Sequence, residues 1–230
     1  MMSDADAQRR RNNNDEAESE QNQAERVFSA AIGQIVLEAQ TQQAAELFAD
    51  SIVTLNRALG NAAINPYERS IALQMRGRSY YETDQVMPAI RDWEAAIESG
   101  GMLPNETTDL RINIGQLYIA EGDYARGISA LEQAVAQAGE DVLNVRVIKM
   151  LAQAYAQAER YREGLPWAER FWAEHPRADR VRGDYSLMLF YYQQLERVPD
   201  PFRIIEEMVQ RWPAEKNNWR SYSSLLAQTD

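Results

Sequence analysis

The chain has 230 residues, 45% hydrophobic and 26% charged, proportions that support a buried core over most of its length. Its 24 Lys and Arg against 35 Asp and Glu leave a formal charge of −11. That balance argues against sequence-independent nucleic-acid binding and against docking on anionic lipid, since both need clustered cations. With no Cys, thiolate nucleophiles, disulfides and Cys-type zinc sites are excluded together.

Residues 1–24, MMSDADAQRRRNNNDEAESEQNQA, carry no large aliphatic or aromatic side chain after the two Met. They are expected to form a disordered polar tail, because nothing in them offsets the entropy of ordering. Arg9 to Arg11 are more than cancelled by flanking acids, and the apolar h-region of a signal peptide is absent. Ala5 to Gln8 (ADAQ) does fit the small-x-small pattern around a signal cleavage site, which leaves open a mature form given a new start Met. No apolar run approaches the roughly 20 residues of a membrane-spanning helix, so no membrane insertion is expected.

From Val27 onward the apolar spacing is helical and no clean alternation suggests a strand, so the chain is predicted to be all-α. GNAAINP, SGGMLPNE, AGEDV, EHPRAD, RVPDP and RWPAEKN interrupt the pattern, and their Gly and Pro stop helices. Pairs of helices are expected between the longer interruptions. The pairs repeat: Gly77, Gly115, Ala152 and Leu189 are spaced by 38, 37 and 37, and three residues after each stands Tyr80, Tyr118, Tyr155 or Tyr192. Twelve after the anchor come Ala89, Gly127, Gly164 and Pro201; sixteen after come Trp93, Leu131, Ala168 and Ile205; nineteen after come Ala96, Ala134, Phe171 and Met208. Small residues on both helices of a pair let the two approach closely, while the larger ones fill the space between neighbouring pairs. Leu189 breaks the small-residue rule, so the fourth pair is expected either to pack with altered spacing or to be misaligned. An earlier pair is assigned with Gly33 as anchor, Ala45 twelve on, Ala49 sixteen on and Val36 in place of the tyrosine.

Glycine-x-x-tyrosine, the later Ala and Phe, and the closing Pro176 and Pro213 resemble the tetratricopeptide repeat (TPR), a helix-turn-helix unit of about 34 residues. The best match is GQLYIAEGDYARGISALEQAV, residues 115–135. The resemblance implies a TPR-like α-solenoid over residues 25–230: a right-handed superhelix of about five antiparallel helix pairs plus a C-terminal helix. It also implies a partner-binding groove on the first helix of each pair. Carried over by position, the groove residues are Gln74, Met75, Arg78, Tyr81 and Glu82; Ile112, Asn113, Gln116 and Ile119; and Lys149, Met150, Gln153 and Gln157. Amides among these suit an extended polypeptide. Asn113 and Lys149 are residue types that chaperone-binding TPR domains use on a terminal carboxylate, but the rest of that basic clamp is missing, so that ligand is not expected.

Catalytic chemistry finds no foothold. His175 is the only histidine and lies at a predicted helix end, so no Ser-His-Asp or HExxH arrangement can form. The Gly-rich stretches lack the Lys and preceding strand of a phosphate loop. The five Trp and eleven Tyr fall mostly at repeat-core positions, although FWAEHP and LFYYQQ cluster aromatics that cannot all point inward. The expected function is therefore a noncatalytic protein-interaction scaffold without cofactor or metal. The alternative is a structural protein that self-assembles into a homo-oligomer.

A narrower similarity is carried by LPNETTDLRINIGQLYIAEGDYARGISALEQAV, PYERSIALQMRGRSYYETDQVMPAI and RWPAEKNNWRSYSSLLAQ. These stretches resemble the TPR proteins that bacteria encode beside the TonB, ExbB and ExbD energy-transducing system. That resemblance implies a periplasmic adaptor contacting TonB-system components; a cytoplasmic location is the alternative.

Overall fold

The computed structural model describes residues 26–139, 144–196 and 201–227. The expected polar tail, the AGEDV interruption beyond Gly139 and the RVPDP interruption before Pro201 lie outside the described residues. Among those described there are eleven α-helices and no strand: α1 (Ala30–Ala44), α2 (Phe48–Leu59), α3 (Pro66–Tyr81), α4 (Val86–Glu98), α5 (Pro104–Ala120), α6 (Tyr124–Ala138), α7 (Val145–Gln157), α8 (Tyr161–Glu174), α9 (Arg182–Gln194), α10 (Pro201–Arg211) and α11 (Lys216–Leu226). The all-α expectation holds. Two compact units divide within α5, one running to Leu110 and one from Arg111.

Local chemistry explains where the helices start. The Asn65 side chain accepts the Glu68 amide while Glu68 accepts the Asn65 amide, a reciprocal cap with Pro66 in the first helical position of α3. Ser29, Asp123 and Asn144 cap α1, α6 and α7 by the same side-chain-to-backbone bond. In α5 the Glu106 carboxylate accepts the Leu103 amide, and in α9 Asp184 accepts the Val181 amide.

The turns inside the pairs share one backbone device. Glu46, Asp84, Gly122, Glu159 and Glu196 all have positive φ, between 53° and 80°. At the first four, the amide of that residue donates to the carbonyl three back and the next amide donates to the carbonyl five back from itself, as in Glu46→Gln43 and Leu47→Gln42. That left-handed closure ends a helix by satisfying its last carbonyls. The five positions are spaced by 38, 38, 37 and 37, so they rule the repeat more strictly than any side chain does.

This spacing corrects the first pair. Counting seven back from Glu46 gives Ala39, not Gly33, as the counterpart of Gly77. Ala39 is fully buried, with Ser51, Leu55 and Ala58 buried at twelve, sixteen and nineteen residues beyond it. The expected Ala45 and Ala49 are exposed, and Ala45 only closes α1. Gln42 occupies the tyrosine position, its side-chain oxygen buried without a hydrogen-bond partner among the described residues.

In the unit ending at Leu110, Ile32, Val36, Ala39, Leu55, Ala58, Ile64 and Ala72 form the core shared by α1, α2 and α3. A Cβ on Gly77 would stand 2.5 Å from Trp93 Nε1, so the indole lies directly on the α3 backbone, where it donates to the Gln74 carbonyl at 3.1 Å. Arg76 grips Asp92 with two bonds of 2.7 and 2.6 Å and reaches Asn56, tying α3 to α4 and α2.

In the unit from Arg111, Gly115 faces Leu131, whose Cγ would meet an added Cβ at 2.9 Å. Ile128, Leu131, Val147, Leu151, Ala154 and Tyr155 form one cluster, and Ala152, Leu165, Ala168, Tyr185, Met188, Tyr191 and Ile204 form another. The pair anchored at Leu189, α9 with α10, resolves the sequence ambiguity in favour of altered packing. Glu196 stands seven after Leu189, so the backbone alignment is right, yet Met188 and Tyr191 are fully buried while Leu189 and Tyr192 are only half-buried. A bulky anchor cannot approach as Gly or Ala does; α9 is rolled by about one residue. Tyr191 enters against Gly164 in place of the expected Tyr192, and its hydroxyl donates to the Ala152 carbonyl at 2.5 Å.

Candidate partner-binding faces

Residues 26–110. On α3 the stripe Ala72, Leu73, Gly77 and Ser79 is buried, which leaves the expected groove positions on the opposite side. Arg78 is 66% exposed, with a long 3.8 Å approach to Glu82 one turn on. Tyr81 is exposed, its ring 6.1 Å from that of Trp93. Gln74 and Met75 are half-buried; Met75 packs on the core, and its carbonyl accepts the Gln43 side-chain amide at 2.7 Å. With Ala39 as anchor, Leu37 and Gln40 on α1 occupy the repeat positions of Met75 and Arg78. Leu37 is 63% exposed and Gln40 is exposed too, so this face carries an apolar side chain and an amide that the Gly33 alignment missed.

Residues 111–227. Asn113 is exposed and Gln116 half-buried on α5, while Ile112 and Ile119 pack against the Ile128 cluster. Gln153 and Gln157 are exposed on α7, and Met150 packs on the core beneath them. Lys149 is engaged elsewhere: its ammonium donates to Asp184 on α9 at 2.7 Å. Asp184 is buried, with His175 Nε2 at 3.3 Å on its other oxygen, so the lone histidine closes α8 against this carboxylate. Burial pushes the Asp184 carboxyl up, but the Lys149 and Val181 hydrogen bonds and the charges of Lys149 and His175 outweigh it, holding the group below the usual carboxylate range. One residue past Leu189, Phe190 is 37% exposed and meets Tyr161 edge-on at 5.5 Å. It stands at the position of Arg78, Gln116 and Gln153, and the aromatic run LFYYQQ was its signal in the sequence.

Two of the repeated tyrosines point away from these faces. Tyr118 is buried with Arg126 stacked 4.5 Å over its ring. Tyr155 donates to Glu132 on α6; burial first, then that carboxylate, pushes its hydroxyl up to about 12. Both are packing groups, and Tyr155 does not titrate at neutral pH. Among the described residues no three His, Asp or Glu side chains converge as metal ligands would, and no helix is long and apolar enough to cross a membrane.

No sequence-family profile and no curated protein matches the chain. Solved structures do. YrrB, described as a TPR protein with an unusual peptide-binding site, is 14% identical over 82% of this chain and 90% of its own, with a TM-score of 0.55. MamA of AMB-1 is 13% identical over 77% and 89%, with a TM-score of 0.57. A tetratricopeptide repeat protein from Parabacteroides merdae ATCC 43184 is 12% identical over 86% and 73%, with a TM-score of 0.56. The chain has the TPR fold, an α-solenoid of consecutive helix pairs.

Proposed function

We propose that the chain is a noncatalytic protein-interaction scaffold whose first-helix faces hold polypeptide partners. One observation carries this reading: the position just after the anchor is exposed at Gln40, Arg78, Gln153 and Phe190 and half-buried at Gln116, and Leu37, Tyr81 and Asn113 are exposed near it on their own first helices. Amides and one guanidinium pair with backbone groups of an extended chain, and the apolar members supply the area that anchors it. The peptide-binding site ascribed to YrrB supports the choice of ligand class.

The test is capture by crosslinking in extracts of the native host. Replacing Arg78, Gln116 and Gln153 together by Ala removes exposed or half-buried groups and no core side chain, so helicity and melting stay unchanged. Loss of even one anchor worth about 2 kcal/mol lowers affinity by roughly thirtyfold. Undiminished recovery of crosslinked polypeptides by that variant would place the partner on another surface. Lys149 is left intact in this experiment because its removal would unpair Asp184.

The finer reading is a periplasmic adaptor for TonB, ExbB or ExbD, resting on sequence resemblance alone. Mass spectrometry of the same crosslinked material decides it, since recovery of none of the three under conditions that trap other partners rejects it. Self-assembly is a second reading, favoured by Leu37, Leu47 and Val53, which are all more than half exposed on the first helix pair. Light scattering over a concentration series separates it from a monomeric receptor.

A further inference from the structure

A cleft of about 620 Å3 opens among residues of the second unit, between α8 and α10 and away from the first-helix positions. Its charge runs against that of the chain. Arg177, Arg180 and Arg203 line it together with two carboxylates, Glu206 and Glu207. Glu207 is saturated: it accepts the Tyr185 hydroxyl, lies 3.2 Å from Arg177 Nε and lies 3.4 Å from Arg180 Nη1. Arg180 is saturated too, donating to the Trp172 and His175 carbonyls at 2.6 and 3.1 Å with its guanidinium 3.9 Å over the Trp172 ring.

The remaining donors are not. Arg203 makes no hydrogen bond or ion pair among the described residues, and Arg177, 61% exposed, uses Nε on Glu207 and Nη2 on Gln210, leaving Nη1. Half-buried Trp172 and Tyr192 give the same cleft an apolar wall, with Ile204 buried behind it. From Arg203 to Gln210 the α10 side extends about 10 Å, the reach of roughly three extended residues.

We propose that this cleft receives an acidic side chain of a polypeptide partner, with Arg203 and Arg177 taking the carboxylate and Trp172 and Tyr192 the apolar neighbour beside it. The proposal adds a second contact surface and rests on the scaffold reading only for the ligand being a polypeptide. Guanidinium pairs suit a carboxylate by charge and by fork geometry, and Glu206 at the edge selects against a second negative charge on that side.

The experiment is NMR titration of the full chain with acetyl-Leu-Asp-Leu-amide, following the Trp172 indole and Ile204 methyl signals. The acidic peptide is expected to move both, the Asn-containing analogue to bind at least about tenfold more weakly, and Arg203→Glu to weaken the acidic peptide by a similar factor. Glu206→Gln is expected to tighten binding. Equal binding of the Asn analogue, or no effect of Arg203→Glu on a chain whose spectrum is otherwise unchanged, overturns the proposal. Saturation of the same shifts by sodium acetate at equal concentration also overturns it, marking a site for any small anion. The Arg78, Gln116 and Gln153 triple variant must bind the peptide as the parent does. A loss there assigns the peptide to the first-helix faces instead, so failure of one surface is told apart from failure of the other.

Discussion

Glu46, Asp84, Glu159 and Glu196 hold a left-handed backbone conformation that side chains resist, at the end of a helix whose dipole repels their charge. The remaining turn, third along the chain, uses Gly122, which tolerates the same φ without strain. Glu159→Gly is therefore expected to raise stability by about 1 kcal/mol, and Gly122→Ala to lower it by about as much, both read from denaturant midpoints. The buried Gln42 oxygen is a second local fault, and Gln42→Met is expected to gain about 1 kcal/mol in the same assay. At this scale the tyrosines at 118 and 155 were legible because a small residue three before a Tyr, Gly115 or Ala152, is visible as letters. Ala39 was not: it has Gln where the others have Tyr and Ser51 as its small partner, while Gly33 six residues earlier imitates the anchor. The five left-handed turns would have aligned the pair, but Glu, Asp and Gly share no letter that announces a positive φ.

Among the elements, the first helices α3, α5 and α9 each begin on a buried or half-buried carboxylate. Glu68 takes the Ser29 amide as well as its own cap, Glu106 holds Arg26 through two bonds, and Asp184 holds Lys149. Burial raises the Glu68 carboxyl, and the bonds from Ser29 and Asn65 lower it by more. In Glu106 the Arg26 bonds dominate and lower it. Groups whose folded pKa is depressed contribute stability that is complete above the unfolded value, about 4, and is lost as pH falls through the folded value. Both units are thus expected to weaken below about pH 4, and Asp184→Asn to flatten that acid limb in thermal melts of the second unit. Lys149→Ala leaves a buried carboxylate with only His175 and backbone beside it, at a cost of about 2 kcal/mol at neutral pH. The loss should shrink as pH falls through the Asp184 pKa. Helix pairing was legible from spacing alone, whereas the roll of α9 was not, since which of two adjacent tyrosines goes inward depends on how near a Leu lets its neighbour come.

Across the whole chain, Trp93 is the only tryptophan before residue 111, with the other four after it. Gly77→Ala crowds that indole, and it is expected to cost about 1–3 kcal/mol and to lower the transition seen in Trp93 fluorescence. A Gly77→Ala melt unchanged in the signal that Trp93→Phe removes would contradict the packing described for α3 and α4. Fold class could be read from the repeat period because stacked units reuse one interface. Partner identity could not, because solvent-facing positions are free of that constraint and Lys149, chosen by position, is spoken for by Asp184.

The contact of Tyr191 with Gly164 bears on how such a protein could be rebuilt. A ring from one pair fills the hollow left by a missing Cβ in the pair before it, so the two residues form a matched couple spanning a module boundary. Swapping the α9–α10 module for a duplicate of the α7–α8 one, or shuffling consensus modules into its place, would leave that hollow vacant or double-filled. The two modules at this joint are ordered parts, the second fitted to the first, and an engineer must move both halves of the joint together.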